Sequence, residues 1–390
     1  MLLKLIVLVS WVNIVEGLEN GLARTPPMGW MSWTRFFCQI DCATHPNTCI
    51  NEQLYKQHAD RLVSDGYAAV GYDTIHVDDC WSERRRDAWN RLVADRWRFP
   101  SGMWGLGNYL HQKGLKFGLY GDYGTLTCEK YPGSMGFEKV DADTFASWGS
   151  YPLFGRYLNA TGRPIVYSCS WPAYWADRMY LVKFDLISRH CNLWRNEADI
   201  TSTWPSILGI INTFVKKQDI LIPIAGPGRF HDPDMLVIGN PGITEGMSRI
   251  QMSVWSIWSA PLIMSNDLRM IAPEFRAILQ NQRTPQLMHF VKPVMPSGSF
   301  AVAIVNYSNR YAVSAIESFQ VASFMLSALG LNNPNGFMLQ NLWTGQQDGF
   351  RRSIDWFQAN IPPRDVVMFK ATIVQRQEFH RRFANLLKFN

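Results

Sequence analysis

Acidic side chains close most of the short apolar runs in the first two thirds of this chain. Ile75-His76-Val77 leads into Asp78 and Asp79. The run at residues 116–122 ends on Tyr120 and Asp122, and the run at 191–196 ends on Arg195 and Asn196, with Asp199 just beyond. Asp232 and Asp234 flank Pro233, and Asn266 and Asp267 close the last run. Helix N-capping accounts for some of these aspartates. The adjacent pair is harder to explain that way, because neighbouring carboxylates repel unless a cationic or hydroxylic partner satisfies them. Carboxylates accept hydrogen bonds from hydroxyls and move protons at an ether oxygen, and an arginine donates in return. With 16 Trp in the chain, ring faces for sugar C–H surfaces are plentiful, although most of them will be core. The residue types therefore point to a sugar site and to glycosidic acid–base chemistry.

Such residues need a scaffold that gathers strand ends at one place. Apolar runs at residues 28–33, 74–79, 116–122, 164–171, 191–196, 221–225 and 261–266 alternate with amphipathic segments such as 51–65 and 103–113. Strands alternating with helices imply βαβ units and a parallel sheet. The length of this region suits a (β/α)8 barrel, whose working groups sit at the C-terminal strand ends. Only seven runs qualify as strands, one fewer than closure requires. From residue 291 the texture changes to short strands with Pro, Gly and Asn punctuation, at 299–306, 337–343 and 365–374. The expected organisation is a barrel over 18–290 and a small antiparallel, sandwich-like β domain over 291–390, ending in a helical tail.

Residues 1–17 carry one early lysine and then an apolar run too short to span a bilayer, the pattern of a secretory signal. No later run is long enough for a membrane span. Lys+Arg 38 against Asp+Glu 32 are interspersed, which argues against a nucleic-acid surface. His231-Asp232-Pro233-Asp234 looks ligand-like, but no HxH or HExxH accompanies it, so neither metal nor organic cofactor is expected. Gly226-Pro227-Gly228 lacks the Lys-Ser/Thr of a phosphate loop, and no Gly-x-Ser-x-Gly elbow occurs. In an exported chain cysteines pair, and seven is an odd number. One thiol is free, or it bonds a second chain, or its partner is missing. Sequons at Asn159 and Asn306 suggest a glycosylated surface.

Taken in order, Gly21-Leu-Ala-Arg-Thr-Pro-Pro-Met-Gly-Trp30, Val77-Asp-Asp-Cys-Trp81, Ile165-Val-Tyr-Ser-Cys169, Cys191-Asn-Leu-Trp-Arg-Asn196, Asp232-Pro-Asp-Met-Leu-Val-Ile-Gly-Asn240 and Pro261-Leu-Ile-Met-Ser-Asn-Asp-Leu-Arg269 resemble the lysosomal α-galactosidase and α-N-acetylgalactosaminidase family of retaining glycosidases. The resemblance implies that Asp199 is the acid/base. It makes Trp33, Asp78, Asp79, Tyr120, Tyr174, Arg195, Asp234 and Met235 sugar-binding residues. Ser170 and Ala173 are similar to the N-acetylgalactosaminidase version, where small side chains leave room for a 2-acetamido group; galactose would also fit. The implied disulfides are Cys38–Cys80, Cys42–Cys49 and Cys169–Cys191. The implied partner is a glycan with terminal α-linked N-acetylgalactosamine or galactose, the implied assembly a homodimer, and the implied location lysosomal or extracellular.

One part of the family pattern is missing. Its nucleophile is the Asp of a Lys-Phe/Tyr-Asp-Gly-Cys motif on strand four. Here Trp148-Gly149 runs directly into Ser150, so about one β/α unit is absent. The same deletion accounts for the seven strands and leaves Cys128 unpaired. Lys183-Phe184-Asp185 spells the motif but lies too close to Cys191 to occupy its place. A second family segment, between 281 and 290, is also unrecognisable.

Overall fold

The computed structural model describes residue 18 and residues 20–148, 162, 164–281, 291–306 and 320–375. The signal segment, Asn159, the junction at Gly149-Ser150, residues 282–290 and the tail beyond 375 lie outside the described residues.

Among the described residues the first part is a parallel β/α assembly of seven strands: β1 (Met28–Met31), β2 (Thr74–Val77), β3 (Lys116–Leu119), β4 (Ser168–Cys169), β5 (Leu193–Arg195), β6 (Phe230–Asp232) and β7 (Leu262–Met264). They form two arcs, in the orders β3-β2-β1-β7 and β4-β5-β6. A parallel bridge between Leu236 and Met264 closes one junction between the arcs. At the other junction, among the described residues, no pairing joins β3 to β4. The chain between these two strands includes Gly149-Ser150, where the family unit is expected to be missing.

Sequence patterns explain the units that are present. The helix Glu52–Ser64 starts where the Asn51 side chain accepts the Leu54 amide, and it buries Leu54, Tyr55, His58 and Leu62 at helical spacing. The helix Trp204–Leu221 starts on a Thr203 cap with Pro205 in its first turn. It also overturns one expectation. Residues 221–225 are not a strand, because Leu221 ends this helix as a buried residue; the strand comes later, at β6. An apolar run this short suits either element, and here helical continuity from residue 204 decides it. β1 needs a glycine: a Cβ on Gly29 would stand 2.4 Å from the Thr74 carbonyl oxygen of the neighbouring strand.

The second part is antiparallel. β8 (Val291–Val294), β9 (Ser299–Asn306), β11 (Phe337–Asn341), β12 (Gln347–Arg351) and β14 (Asp365–Ile373) make one sheet in the order β12-β11-β14-β9-β8, and β10 (Gln320–Met325) pairs with β13 (Trp356–Ile361). Alternation divides the work of the large sheet. Ala301, Ala303, Val366 and Met368 join the barrel's core, whereas Val302, Phe369 and Ala371 join a separate core inside the β domain.

Candidate active site

The C-terminal ends of the strands converge on a pocket of about 200 Å³. Trp33, Asp78, Asp79, Tyr120, Ser170, Tyr174, Arg195, Asp199, Asp234 and Met235 all line it. Ala173 does not; it lies in the turn-rich segment Trp171–Leu181, where its amide donates to the Ser170 carbonyl. Asp267 is not at the mouth either. It is buried against Arg269 and His58, and despite burial these partners hold its carboxyl well below the usual range.

Arg195 organises the acidic wall. Its Nη2 lies 3.0 Å from Asp199 Oδ1 and 3.0 Å from Asp234 Oδ2. Burial opposes its charge, but Asp234, Asp232 and Asp199 outweigh burial and raise its pKa. Asp234 is fully enclosed and accepts the Ile200 amide (2.7 Å) and the Met235 amide (2.8 Å), and the Asp232 carboxylate accepts the Asp234 amide at 2.8 Å. Asp234 has a left-handed φ of 80°, a costly conformation for a non-glycine residue; the Trp255 indole helps to hold it by donating to the Asp234 carbonyl. Asp199 differs in setting. Its carboxylate is 71% exposed, at the rim of the pocket.

Among the described residues, neither a cation nor a hydroxyl hydrogen-bonds the adjacent carboxylates. Backbone amides do it: Asp78 accepts the Asp79 amide (2.6 Å), and Asp79 accepts those of Cys80 (2.7 Å) and Glu129 (3.2 Å). Burial, then the charges of Asp79, Asp234 and Asp199, push the Asp78 carboxyl up to about 7. Burial likewise lifts Asp232 to about 6, with Arg195 pulling the other way. Five aspartates and one arginine line the pocket. This wall repels anions and accepts hydrogen bonds from a neutral, hydroxyl-rich ligand, and the cavity suits one ring.

Asp232, one of the strand-end carboxylates, lines the pocket, whereas its neighbour His231 does not. His231 is a core side chain: its Nδ1 accepts from the Trp194 indole (2.9 Å), and its Nε2 contacts the Leu221 carbonyl at 2.9 Å. Met31, Gly121, Ser168 and Ile263 line the pocket without any sequence signal for it. Cys128, flagged only as unpaired, is the free and exposed cysteine among the described residues, and its thiol faces the same pocket. Burial and the carboxylates of Asp122, Asp79 and Asp199 raise its pKa, against a hydrogen bond from Tyr120. The disulfides Cys38–Cys80, Cys42–Cys49 and Cys169–Cys191 are formed. Asp185 is exposed in the short helix Phe184–Ser188, away from the pocket. Asn306 departs from the glycosylation expectation. It is 2% exposed, and its side-chain nitrogen donates to the Ile361 carbonyl.

Comparison with known proteins agrees with this arrangement. The family model described as Alpha galactosidase A matches residues 25–287, and that of the Alpha galactosidase C-terminal beta sandwich domain matches residues 289–371. The chain is 42% identical to alpha-N-acetylgalactosaminidase of Gallus gallus over 400 residues, covering 92% of this chain and 97% of that one. It is 37% identical to human alpha-galactosidase A, covering 94% of each. The crystal structure of alpha-galactosidase I from Mortierella vinacea superposes with a TM-score of 0.75 at 25% identity, over 90% of this chain and 98% of that one. The alignment with the chicken protein is longer than the part of this chain it covers, so it steps over positions that this chain lacks. Fold, strand-end chemistry and similarity along most of the length agree, and the chain belongs to the alpha-galactosidase A family of glycosidases.

Proposed function

We propose that this pocket takes a terminal α-linked N-acetylgalactosamine of a glycoconjugate, with α-galactose as a second ligand, and that the site is arranged to hydrolyse that linkage with Asp199 as the proton donor. The observation that carries the reading is the Arg195 fork between exposed Asp199 and enclosed Asp234. It joins a carboxyl able to serve a departing oxygen at the rim to carboxylates able to bind ring hydroxyls within. Ser170 supports the 2-acetamido preference, since a small side chain there leaves space a bulky one would fill. The curated relatives named above include both alpha-N-acetylgalactosaminidase and alpha-galactosidase. The three disulfides suit a secretory-pathway protein, lysosomal or secreted, and the same reading makes its working form a homodimer.

A second reading has its own observations. A retaining glycosidase needs a second carboxylate about 5–5.5 Å from the acid/base. The family unit expected to bring it is not recognisable in the sequence; among the described residues no pairing joins β3 to β4 and Cys128 forms no disulfide, which supports this reading. On that reading the chain binds the sugar without turning it over. One pair of measurements separates the two. N-acetylgalactosamine should slow alkylation of Cys128 by a maleimide, because the thiol lines the pocket; no protection would sink both readings. Turnover of a chromogenic α-N-acetylgalactosaminide that is lost in Asp199→Asn supports hydrolysis. Protection without turnover, with activity gained when a family-like β/α unit is inserted after Gly149, establishes the silent form.

A further inference from the structure

The connection between β2 and the helix Gly102–Gln112 carries a hairpin that the sugar site does not use. Ser82 bridges Ala94, the Glu83 amide donates to the Val93 carbonyl (2.8 Å), and the Asp87 amide donates to that of Arg91 (3.0 Å). Trp89 sits at its tip and is 72% exposed. Trp97, just past its base, is 94% exposed. Neither position is loose. The Asp87 carboxylate accepts the amides of Trp89 and Arg91, and Asp95 accepts those of Trp97 and Arg98. Arg98 is buried and donates to the carbonyls of Ile50 and Cys80, and Arg86 forms a two-pronged pair with buried Asp141. The frame is rigid, and it holds two indoles out in water.

The net charge around them is positive. Residues 82–98 contain six arginines and three acidic residues. Arg86, Arg91 and Arg98 pair with Asp141, Asp87 and Asp95. Arg84, Arg85 and Arg96 are exposed, and among the described residues no carboxylate lies within ion-pairing distance of them. Exposed indoles among unpaired guanidinium groups match the head-group layer of a bilayer, where amphipathic rings settle and basic residues meet anionic lipids.

We propose that this hairpin docks the protein on an anionic lipid surface. The hairpin also borders the sugar pocket. Arg84 donates to the Glu129 carbonyl, the Glu129 amide donates to Asp79, and the Trp81 indole donates to the Tyr120 carbonyl. Docking would therefore carry the pocket mouth to the membrane, where a glycolipid head group stands. That consequence rests on the sugar reading; the docking does not.

The test uses vesicles without sugar, so that its outcome is independent of the active site. The full chain is sedimented with phosphatidylcholine vesicles, and with the same vesicles containing phosphatidylserine. Binding to the second alone, weakening with salt, is expected. Arg85→Glu with Arg96→Glu should lower it more than tenfold, since each basic residue near an anionic surface contributes roughly fivefold. Trp89→Ala with Trp97→Ala should also lower it about tenfold, while leaving retention on heparin unchanged. All four side chains face solvent, so both variants should melt as the parent does. No binding to anionic vesicles overturns the proposal. So does an unchanged Trp variant, which would mark a site for soluble polyanions.

Discussion

At the scale of single residues, the pocket concentrates negative charge, and burial raises the pKa of its Asp78, Asp232 and Asp234 carboxyls. Asp78 is raised to about 7, by burial first and then by Asp79, Asp234 and Asp199. An unfolded aspartate titrates near 4. Between these values the folded protein holds a proton on Asp78 that the unfolded chain has released, so this residue's contribution to stability grows as pH falls from about 7 to about 4. Buried neutral histidines act in the opposite sense. His231 is lowered by burial from 6.5 to about 4, so its contribution shrinks as pH falls between those values. A melting curve of the parent alone would mix the two. Asp78→Asn isolates the first, because the amide imitates the protonated carboxyl at every pH. The Asp78→Asn variant should match or exceed the parent's stability above pH 7, and the parent should gain on it steadily toward pH 4. A constant difference between the two melting temperatures would mean that Asp78 titrates normally.

At the scale of elements, what can be expected of the barrel turns on β3 and β4, which no pairing joins among the described residues. The amide of Lys116 donates to the Asp73 carbonyl and that of Tyr120 to Val77, so the alternate amides of Phe117 and Leu119 point away from β2. Hydrogen exchange should show those two amides exchanging far faster than the amides of β1, which is paired on both sides. Protection equal to that of β1 would mean that the edge is covered and the wall closed. Much of this element plan was legible in the sequence. Six of the seven barrel runs contain observed strands; the seventh, at 221–225, contains none, and β6 lies outside every run. The run at 221–225 misled because an isoleucine-rich stretch packs equally well at a helix end. In the β domain, β8, β10, β12 and β13 lie outside the three expected strands; Gln347–Arg351, for one, buries none of its residues and carries a single large apolar side chain, Phe350. At the site, the motif residues other than Ala173 line the pocket, and so does Asp232, one of the strand-end carboxylates; Cys128 carries no such signal, because lining the pocket there depends on a loop conformation that spacing does not encode.

At the scale of the whole molecule, barrel and β domain share one apolar core, and a polar clamp fixes their separation. The helix Glu245–Ile257 lies against β14, where Arg249 forms a two-pronged pair with Asp365 at 2.9 and 2.6 Å. The approach is close because residue 246 is glycine. A Cβ there would stand 2.4 Å from the Arg364 carbonyl oxygen, a backbone atom with nowhere to move unless the domains part. This allows a test of sign. Alanine for glycine inside a helix ordinarily stabilises by about 1 kcal/mol. Gly209, within the helix Trp204–Leu221, has nothing within 4 Å of an added Cβ, so Gly209→Ala should raise the melting temperature. Gly246→Ala should lower it, since overpacking of this kind costs about 1–3 kcal/mol and strains the Arg249 pair as well. Because Ala301, Ala303, Val366 and Met368 bury against the barrel, the parent should unfold in a single calorimetric transition. Gly246→Ala should broaden or split that transition as the shared interface loosens. If both substitutions raised the melting temperature alike, the contact between helix and β14 would be too yielding to hold the domains in register, and the shared core alone would have to do so.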